Sequence, residues 1–447
     1  MGRHRVAAAL LAVLATVARA QPIDLPSSAP DLAAAPPETE RLVPGLRIEL
    51  GQQRLRWRES AVSQPAFAWR EALDYRSERD AGRWRFGFSD RLEAAQFAGP
   101  APADQTRNAL REAWASVDAG SGVFLDAGRI NQRQGLGQGW NPSDFLRAYA
   151  VVTRSTQDPA SLRENRLGTA QLRAQWLGAA GSAQLALIPR LSRRATLSDA
   201  DFAPGLERTN RRAGAQLRLA PQLDERSSFD AVAQLREGGA PQVGANASRL
   251  IGDAVVAYLE WSGGNRPRSA PRATSAAGAA SAASTPPAFD AADPAAPRGW
   301  ADRWVAGASW TTPWEVQLTV ERWQMNDAPD AAGWRAIRAG LVSPEAGAAY
   351  SAWRADLAER GLPTVRASWF ARAAWDRAFG RADLDLSAFA RVNGYDRSRF
   401  WQAEVAWHAS ERLSLRLALN ASAGAAGSEF GRANSRASLQ SWLQCWF

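Results

Sequence analysis

From residue 46 to the end, the chain repeats one pattern: segments of about ten residues with alternating apolar and polar side chains, separated by short runs of turn-forming residues. Phe67, Trp69, Leu73 and Tyr75 alternate with Ala68, Arg70, Ala72 and Asp74, with Glu71 standing on the apolar side. Ala170, Leu172, Ala174 and Trp176 alternate with Thr169, Gln171, Arg173 and Gln175. The same holds for Trp314, Val316, Leu318 and Val320 against Glu315, Gln317, Thr319 and Glu321, and for Leu413, Leu415, Leu417 and Leu419 against Ser414, Arg416, Ala418 and Asn420. A period of two belongs to β-strands, whose successive side chains leave opposite faces. The pattern predicts strands over 46–57, 66–76, 83–94, 108–118, 122–130, 167–178, 182–190, 212–221, 228–236, 242–251, 254–262, 301–311, 314–323, 364–376, 382–392, 399–408, 411–421 and 437–447. The first and the fourth fit least well, the fourth because Arg111 and Glu112 would occupy opposite faces.

The polar face carries Arg, Asp, Glu and Gln in strand after strand, and almost nothing reads as a helix or as a strand buried on both sides. An apolar face that meets hydrocarbon, backed by a polar face around water, describes a membrane β-barrel better than a soluble sandwich. No segment approaches the roughly 20 continuous apolar residues of a membrane helix, so a membrane location requires a closed barrel. The connections agree: even-numbered ones such as Ala119–Ser121, Ala179–Gly181 and Gly252–Asp253 are tight, while odd-numbered ones include 131–166, 191–211, 263–300, 324–363 and 422–436. The expected fold is therefore all-β, a transmembrane antiparallel up-and-down barrel of about 18 strands; 16 or 20 would keep both termini on one side.

Composition adds an export signal and an aromatic surplus. Arg3 and Arg5, the apolar run Val6–Val17 and the small residues Ala18-Arg19-Ala20 predict a secretory signal over 1–20, cleaved near Ala20. The Pro- and Ala-rich stretch 21–45 is expected to be a flexible periplasmic leader, with the barrel over 46–447. Twenty Trp suit the aromatic girdles of a barrel. The net charge of +9 is carried by Arg alone, since the chain has no Lys; it reads as a compositional habit and does not point to nucleic acid. The stretch 263–297, rich in Ala, Ser and Pro, is expected to be a disordered outer loop.

The last segment places Leu439, Ser441, Leu443, Cys445 and Phe447 on one face and ends on Phe. Here the sequence resembles bacterial outer-membrane porins, whose final strand ends in an aromatic residue with apolar residues at alternate positions before it. The resemblance implies a Gram-negative outer membrane, surrounding lipid, and an assembly signal at Phe447, Cys445, Leu443 and Leu439 read by the barrel-assembly machinery. Ser441 departs from the pattern. In many porins the third outer loop, here 131–166, folds into the lumen, so the resemblance implies either that or a glycine-rich loop packed on the barrel rim. Its start, Gly128 to Phe145, is glycine-rich, and Arg129, Arg133 and Asp144 are the candidate constriction residues.

Strand parity predicts a lumen lined by Arg70, Arg85, Arg173, Arg218, Arg236, Arg303, Arg366, Arg372, Arg391 and Arg416, with Asp74, Asp230, Glu260, Glu315, Glu321, Asp383, Asp385 and Glu404. The Arg excess favours anionic or polyhydroxylated solutes, unless these charges form a self-neutralising wall. His408 is the one histidine after the signal, so His-based triads and metal clusters lack their residues, and neither enzyme activity nor a cofactor or metal is expected. The expected function is a porin-like channel for small polar or anionic solutes. An exporter of an anionic exopolysaccharide and a non-conducting structural barrel are the alternatives. A folded plug has no room before the first strand, and the apolar outer face suits lipid or a second subunit of a homo-oligomer.

Overall fold

The computed structural model describes residues 45–57, 67–98, 105–152, 156–194, 205–269, 298–433 and 435–447. The signal segment, the leader up to residue 44 and residues 270–297 of the predicted disordered loop lie outside these. Eighteen strands follow in order: β1 (Gly45–Trp57), β2 (Phe67–Ala81), β3 (Trp84–Ala98), β4 (Gln105–Gly120), β5 (Val123–Ile130), β6 (Thr169–Gly178), β7 (Gly181–Ile188), β8 (Gly214–Pro221), β9 (Ser227–Arg236), β10 (Gln242–Ile251), β11 (Val255–Pro267), β12 (Arg298–Thr311), β13 (Val316–Met325), β14 (Ala367–Trp375), β15 (Leu384–Asn393), β16 (Arg399–Ser410), β17 (Leu413–Ala423) and β18 (Ser435–Trp446). Each pairs antiparallel with its sequence neighbours, and β1 pairs with both β2 and β18, so the sheet closes into a barrel. Every predicted segment meets one strand.

The sidedness is that of a membrane barrel. Leu50, Trp69, Leu73, Leu172, Val320, Leu417 and Leu439 are exposed on the outer wall, while Glu49, Asp74, Asp126, Asp230, Glu260 and Glu321 are buried inside. A water-soluble sheet would invert this arrangement, because burying apolar area and solvating charge both favour the opposite. Among the described residues no helix is long and apolar enough to cross a membrane. Glu71 is exposed on the outer wall, as its place in the alternation requires.

The fourth strand explains its own irregularity. Ser89 opposes Glu112 and Asp90 opposes Leu110, so Arg111 has no partner in the ladder. This β-bulge adds one residue, and the alternation restarts after it. Arg111 is thereby buried inside the barrel, and Glu112 also serves the inner side, accepting the Asn131 N–H at 3.2 Å. The expectation that the two point to opposite faces is corrected by that extra residue.

Two further expectations fail. The long connections carry helices: α1 (Pro159–Glu164), α2 (Leu206–Thr209), α3 (Ala331–Gly340) and α4 (Pro344–Arg360). Asp330 and Ser343 cap α3 and α4 by accepting from Gly333 N–H and Ala346 N–H, and Pro344 fills the first turn, where its missing N–H costs nothing. Trp334, Tyr350, Trp353, Leu357 and Val365 bury one another in a small core that roofs the long-loop end. The inner wall is also not polar throughout. Tyr258, Val305, Trp323, Phe370 and Phe389 from β11 to β15 point inward and are buried, with Trp323 stacked on Phe370 at 5.7 Å.

A loop docked across the lumen

The glycine-rich loop after β5 fills part of the interior, and two wall carboxylates hold it. Glu260 on β11 accepts Leu136 N–H at 2.8 Å, Gly137 N–H at 3.0 Å, Ser143 N–H and Ser143 Oγ–H at 2.8 Å, and Asn141 Nδ2–H at 3.3 Å. Glu321 on β13 accepts Tyr258 Oη–H at 2.6 Å, Trp323 Nε1–H at 2.7 Å, Gly139 N–H at 3.1 Å and the Gln138 N–H. Nearly every partner is a fixed donor, and the two oxygens of a glutamate side chain supply the acceptor sites they need. The glycines make it possible. Gly135 has a φ of +86°, and a Cβ there would lie 2.4 Å from the Glu260 carboxylate; one at Gly139 would lie 2.3 Å from the Trp323 ring. Leu136 and Trp140 then pack on the apolar wall.

The rest of the loop is tied at both ends. Gln132 and Gln134 each donate Nε2–H to Gln216 Oε1 on β8, at 3.1 and 2.8 Å. Arg166 joins the start of the loop to its middle, donating to Asn131 Oδ1 at 2.9 Å and pairing with Asp144 at 2.7 Å. On the opposite side Gln157 N–H reaches Gln402 on β16 at 3.1 Å, and Asp158 lies 3.7 Å from Arg372 on β14. The loop thus touches inward residues of β8, β11, β13, β14 and β16.

The three candidate constriction residues are not brought together. Asp144 is buried in its pair with Arg166. Arg133, between the two anchored glutamines, is exposed. Arg129 falls on the outer-wall side of the alternation with Leu125 and Ala127; it is buried where Nε–H meets the Gly168 carbonyl at 2.9 Å, with Thr209 Oγ1 at 3.5 Å. Its role is packing at the rim, against the expectation that it faces the lumen.

Most predicted lumen arginines do face inward, and most are neutralised there. Arg70 pairs with Glu93 at 3.3 Å, Arg173 with Asp126 at 2.8 Å and Arg416 with Glu404 at 3.4 Å. Arg218 meets Asp230 at 3.1 Å, Arg303 meets Asp327 at 2.9 Å, and Arg391 lies 5.3 Å over the Phe400 ring. Arg236 and Arg366 stand at the long-loop mouth, the first donating to the Arg212 carbonyl at 3.0 Å and the second 3.8 Å from Asp330. Arg85 is a correction: beside the Gly82 turn it is exposed and pairs with Asp80 and Glu78 at the tight-turn rim, beyond the part of the strand that encloses the lumen. Glu315, in the turn before β13, and Asp383, before β15, are likewise exposed at that rim. Asp385 points inward and meets His408 Nε2 at 2.8 Å. Leu439, Leu443, Cys445 and Phe447 share the outer wall, and Phe447 closes the seam by donating its N–H to the Leu46 carbonyl at 2.9 Å.

Several site residues have no counterpart among the expected ones. Glu49 and Asp74 anchor Arg47, Arg91 and Arg111 across β1 to β4, and Gln444 of β18 donates to Glu49 at 2.9 Å. Arg147, Arg266, Arg298 and Arg360 gather with Arg303 around a cavity of about 460 Å³ outside the docked loop.

The roof is held by Asp396, which accepts Trp334 Nε1–H at 3.0 Å, Glu429 N–H at 2.9 Å and Ser398 N–H at 2.8 Å. Burial opposes its ionised form, but these hydrogen bonds outweigh it and hold the carboxyl below the usual carboxylate range. A lowered folded value stabilises fully above the unfolded one and is lost as pH falls through the folded value. Pepsin cleavage in 331–360 should therefore rise below pH ~3.8 in the wild type. In Asp396→Asn it should already be raised and should rise less across that window.

No family model matches the chain, and no curated protein matches its sequence. Among solved structures, Pseudomonas aeruginosa OccK5 (OpdH) superposes with a TM-score of 0.51 at 10% identity, over 90% of this chain and 97% of that one. Pseudomonas aeruginosa OpdL superposes with a TM-score of 0.50 at 10% identity, over 90% of this chain and 97% of that one. At such identity the likeness speaks for architecture alone, and in this chain that architecture is a closed antiparallel barrel of 18 strands.

Proposed function

We propose that the protein is a porin-like channel of the outer membrane that passes small polar and anionic solutes through a lumen narrowed by the loop 131–166. The observation that carries this reading is the docking of that loop: its backbone N–H groups end on Glu260 and Glu321 of the wall it crosses to. A loop held at such specific points reduces the passage without closing the barrel's ladder, and it sets size and charge preference. Most wall charges are paired, so preference is supplied by the arginines around the outer cavity rather than by the whole lining.

Planar-bilayer recording of the purified protein tests the proposal. Stable ohmic steps with a reversal potential on the anion side in a salt gradient are expected, and liposome swelling should be faster with small neutral sugars than with larger ones. Silence that persists after the loop is deleted would remove the channel reading and leave a structural barrel. Silence that ends on deletion would make the loop a closed plug.

A further inference from the structure

We infer that the cavity between loop residues 140–148 and the long-loop ends of β9 to β12 is a binding site for a small solute carrying at least two negative charges. This rests on the channel reading and names the substrate class that the channel would favour. The cavity encloses about 460 Å³, within the range of small-molecule sites. Its wall contains Arg147 from the docked loop, Arg266 from β11, Arg298 and Arg303 from β12, and Arg360 from the end of α4.

Local carboxylates account for only part of this charge. Arg303 is matched by Asp327 at 2.9 Å, Arg360 by Asp356 at 3.2 Å, and the lining carboxylate Asp144 is taken by Arg166 at 2.7 Å. Among the described residues, Arg147, Arg266 and Arg298 have no ion-pair partner. Arg266 is the telling case. It is 7% exposed, its Nε is buried without an acceptor, and its Nη2 reaches only a neutral hydroxyl, Ser262 Oγ, at 3.3 Å. A buried guanidinium is costly when the carboxylates near it, here Asp327 and Asp302, are already bonded to Arg303 and to Trp261 and Trp300, whereas Arg70, Arg173, Arg218 and Arg416 each have a carboxylate in contact. Around the cavity the guanidinium charge exceeds the carboxylates that face it.

The number of free guanidinium groups sets the ligand's charge. Three arise from three separate elements, a loop and two strands, and each presents a planar fork that takes two oxygens of a phosphate or carboxylate. A monoanion satisfies one of them and leaves the others unpaired. A pyrophosphate, a phosphorylated sugar or a dicarboxylate satisfies two or more.

Calorimetric titration of the folded protein in detergent, with inorganic pyrophosphate and with acetate as probes, tests the site. Pyrophosphate should bind at least about tenfold more tightly than acetate. Arg266→Gln and, separately, Arg147→Gln should each weaken pyrophosphate by about tenfold, while Arg85→Gln at the tight-turn rim leaves it unchanged. Heat-modifiable gel mobility shows that each barrel is folded; should Arg266→Gln fail to fold, Arg147→Gln in the loop gives the same reading. Equal affinity for the two anions, or wild-type affinity in the folded variants, overturns the site. Anion-preferring conductance without pyrophosphate binding rejects the site alone, whereas binding without conductance rejects the channel alone.

Discussion

The double variant Glu260→Gln, Glu321→Gln is expected to release the loop 131–166 from the far wall and raise single-channel conductance severalfold with added open-state noise. The wild-type carboxylates receive donors on both oxygens, including the backbone N–H groups of Leu136, Gly137, Gln138, Gly139 and Ser143. A glutamine offers one oxygen; its NH₂ would confront donors that cannot turn round. On Glu321, the Tyr258 hydroxyl can rotate, but Gln138 N–H beside it or Gly139 N–H and Trp323 Nε1–H on the other oxygen would then stand unpaired. Each orphaned donor costs about 1 to 3 kcal/mol, so two substitutions remove several kcal/mol from docking. The barrel ladder is untouched, which keeps the variant folded. Trypsin cleavage at Arg133 or Arg147 should increase alongside conductance. Gly135→Ala should move both readouts the same way, because its Cβ meets the Glu260 carboxylate. A variant with wild-type conductance and protection would mean that Leu136 and Trp140 alone hold the loop.

The barrel was legible because its rule is local. An alternation of two, turn residues at the tight end and a terminal Phe447 are each readable within a few residues, and all 18 segments became strands. The interior was less legible because it depends on which residues face each other across the lumen. Glu260 and Glu321 look like any polar-face residue; their donors in the loop lie 117 to 183 positions away in the chain. Parity gave direction but not height, so Arg85, Glu315 and Asp383 passed as lumen residues although their strands end beside them. Arg129 lies next to the glycine-rich loop in sequence, but nearness to a loop does not fix the face of a strand, and it packs at the rim. The helices α3 and α4 have caps readable in the sequence, Asp330 and Ser343-Pro344-Glu345, although they stand in connections between strands.

Asp74→Asn is expected to lower the stability of the barrel by about 3 to 5 kcal/mol, the range for stripping one member from a buried ion-pair cluster. Asp74 Oδ2 lies 3.1 Å from Arg47, 3.2 Å from Arg91 and 3.0 Å from Arg111, and its side chain is 4% exposed. Neutralising it leaves Arg47 and Arg91 on Glu49, at 3.0 and 2.6 Å, and leaves Arg111 with the neutral Asn165. The cost falls on the seam. Through Glu49 the cluster reaches Gln444 on β18, and through Arg111 it reaches Asn165 at the end of the docked loop, 2.7 Å away. One carboxylate therefore braces the closing pair of strands, the bulge in β4 and the loop together. Urea unfolding in detergent, followed by tryptophan fluorescence, should show a lower midpoint in Asp74→Asn and none in Asp383→Asn, whose carboxylate is exposed at the rim. Restoring part of the midpoint by adding Arg111→Gln would follow, since that change removes the bulged guanidinium left without its carboxylate. Equal midpoints for Asp74→Asn and the wild type would mean that lumen water, rather than this cluster, stabilises the charges at the seam.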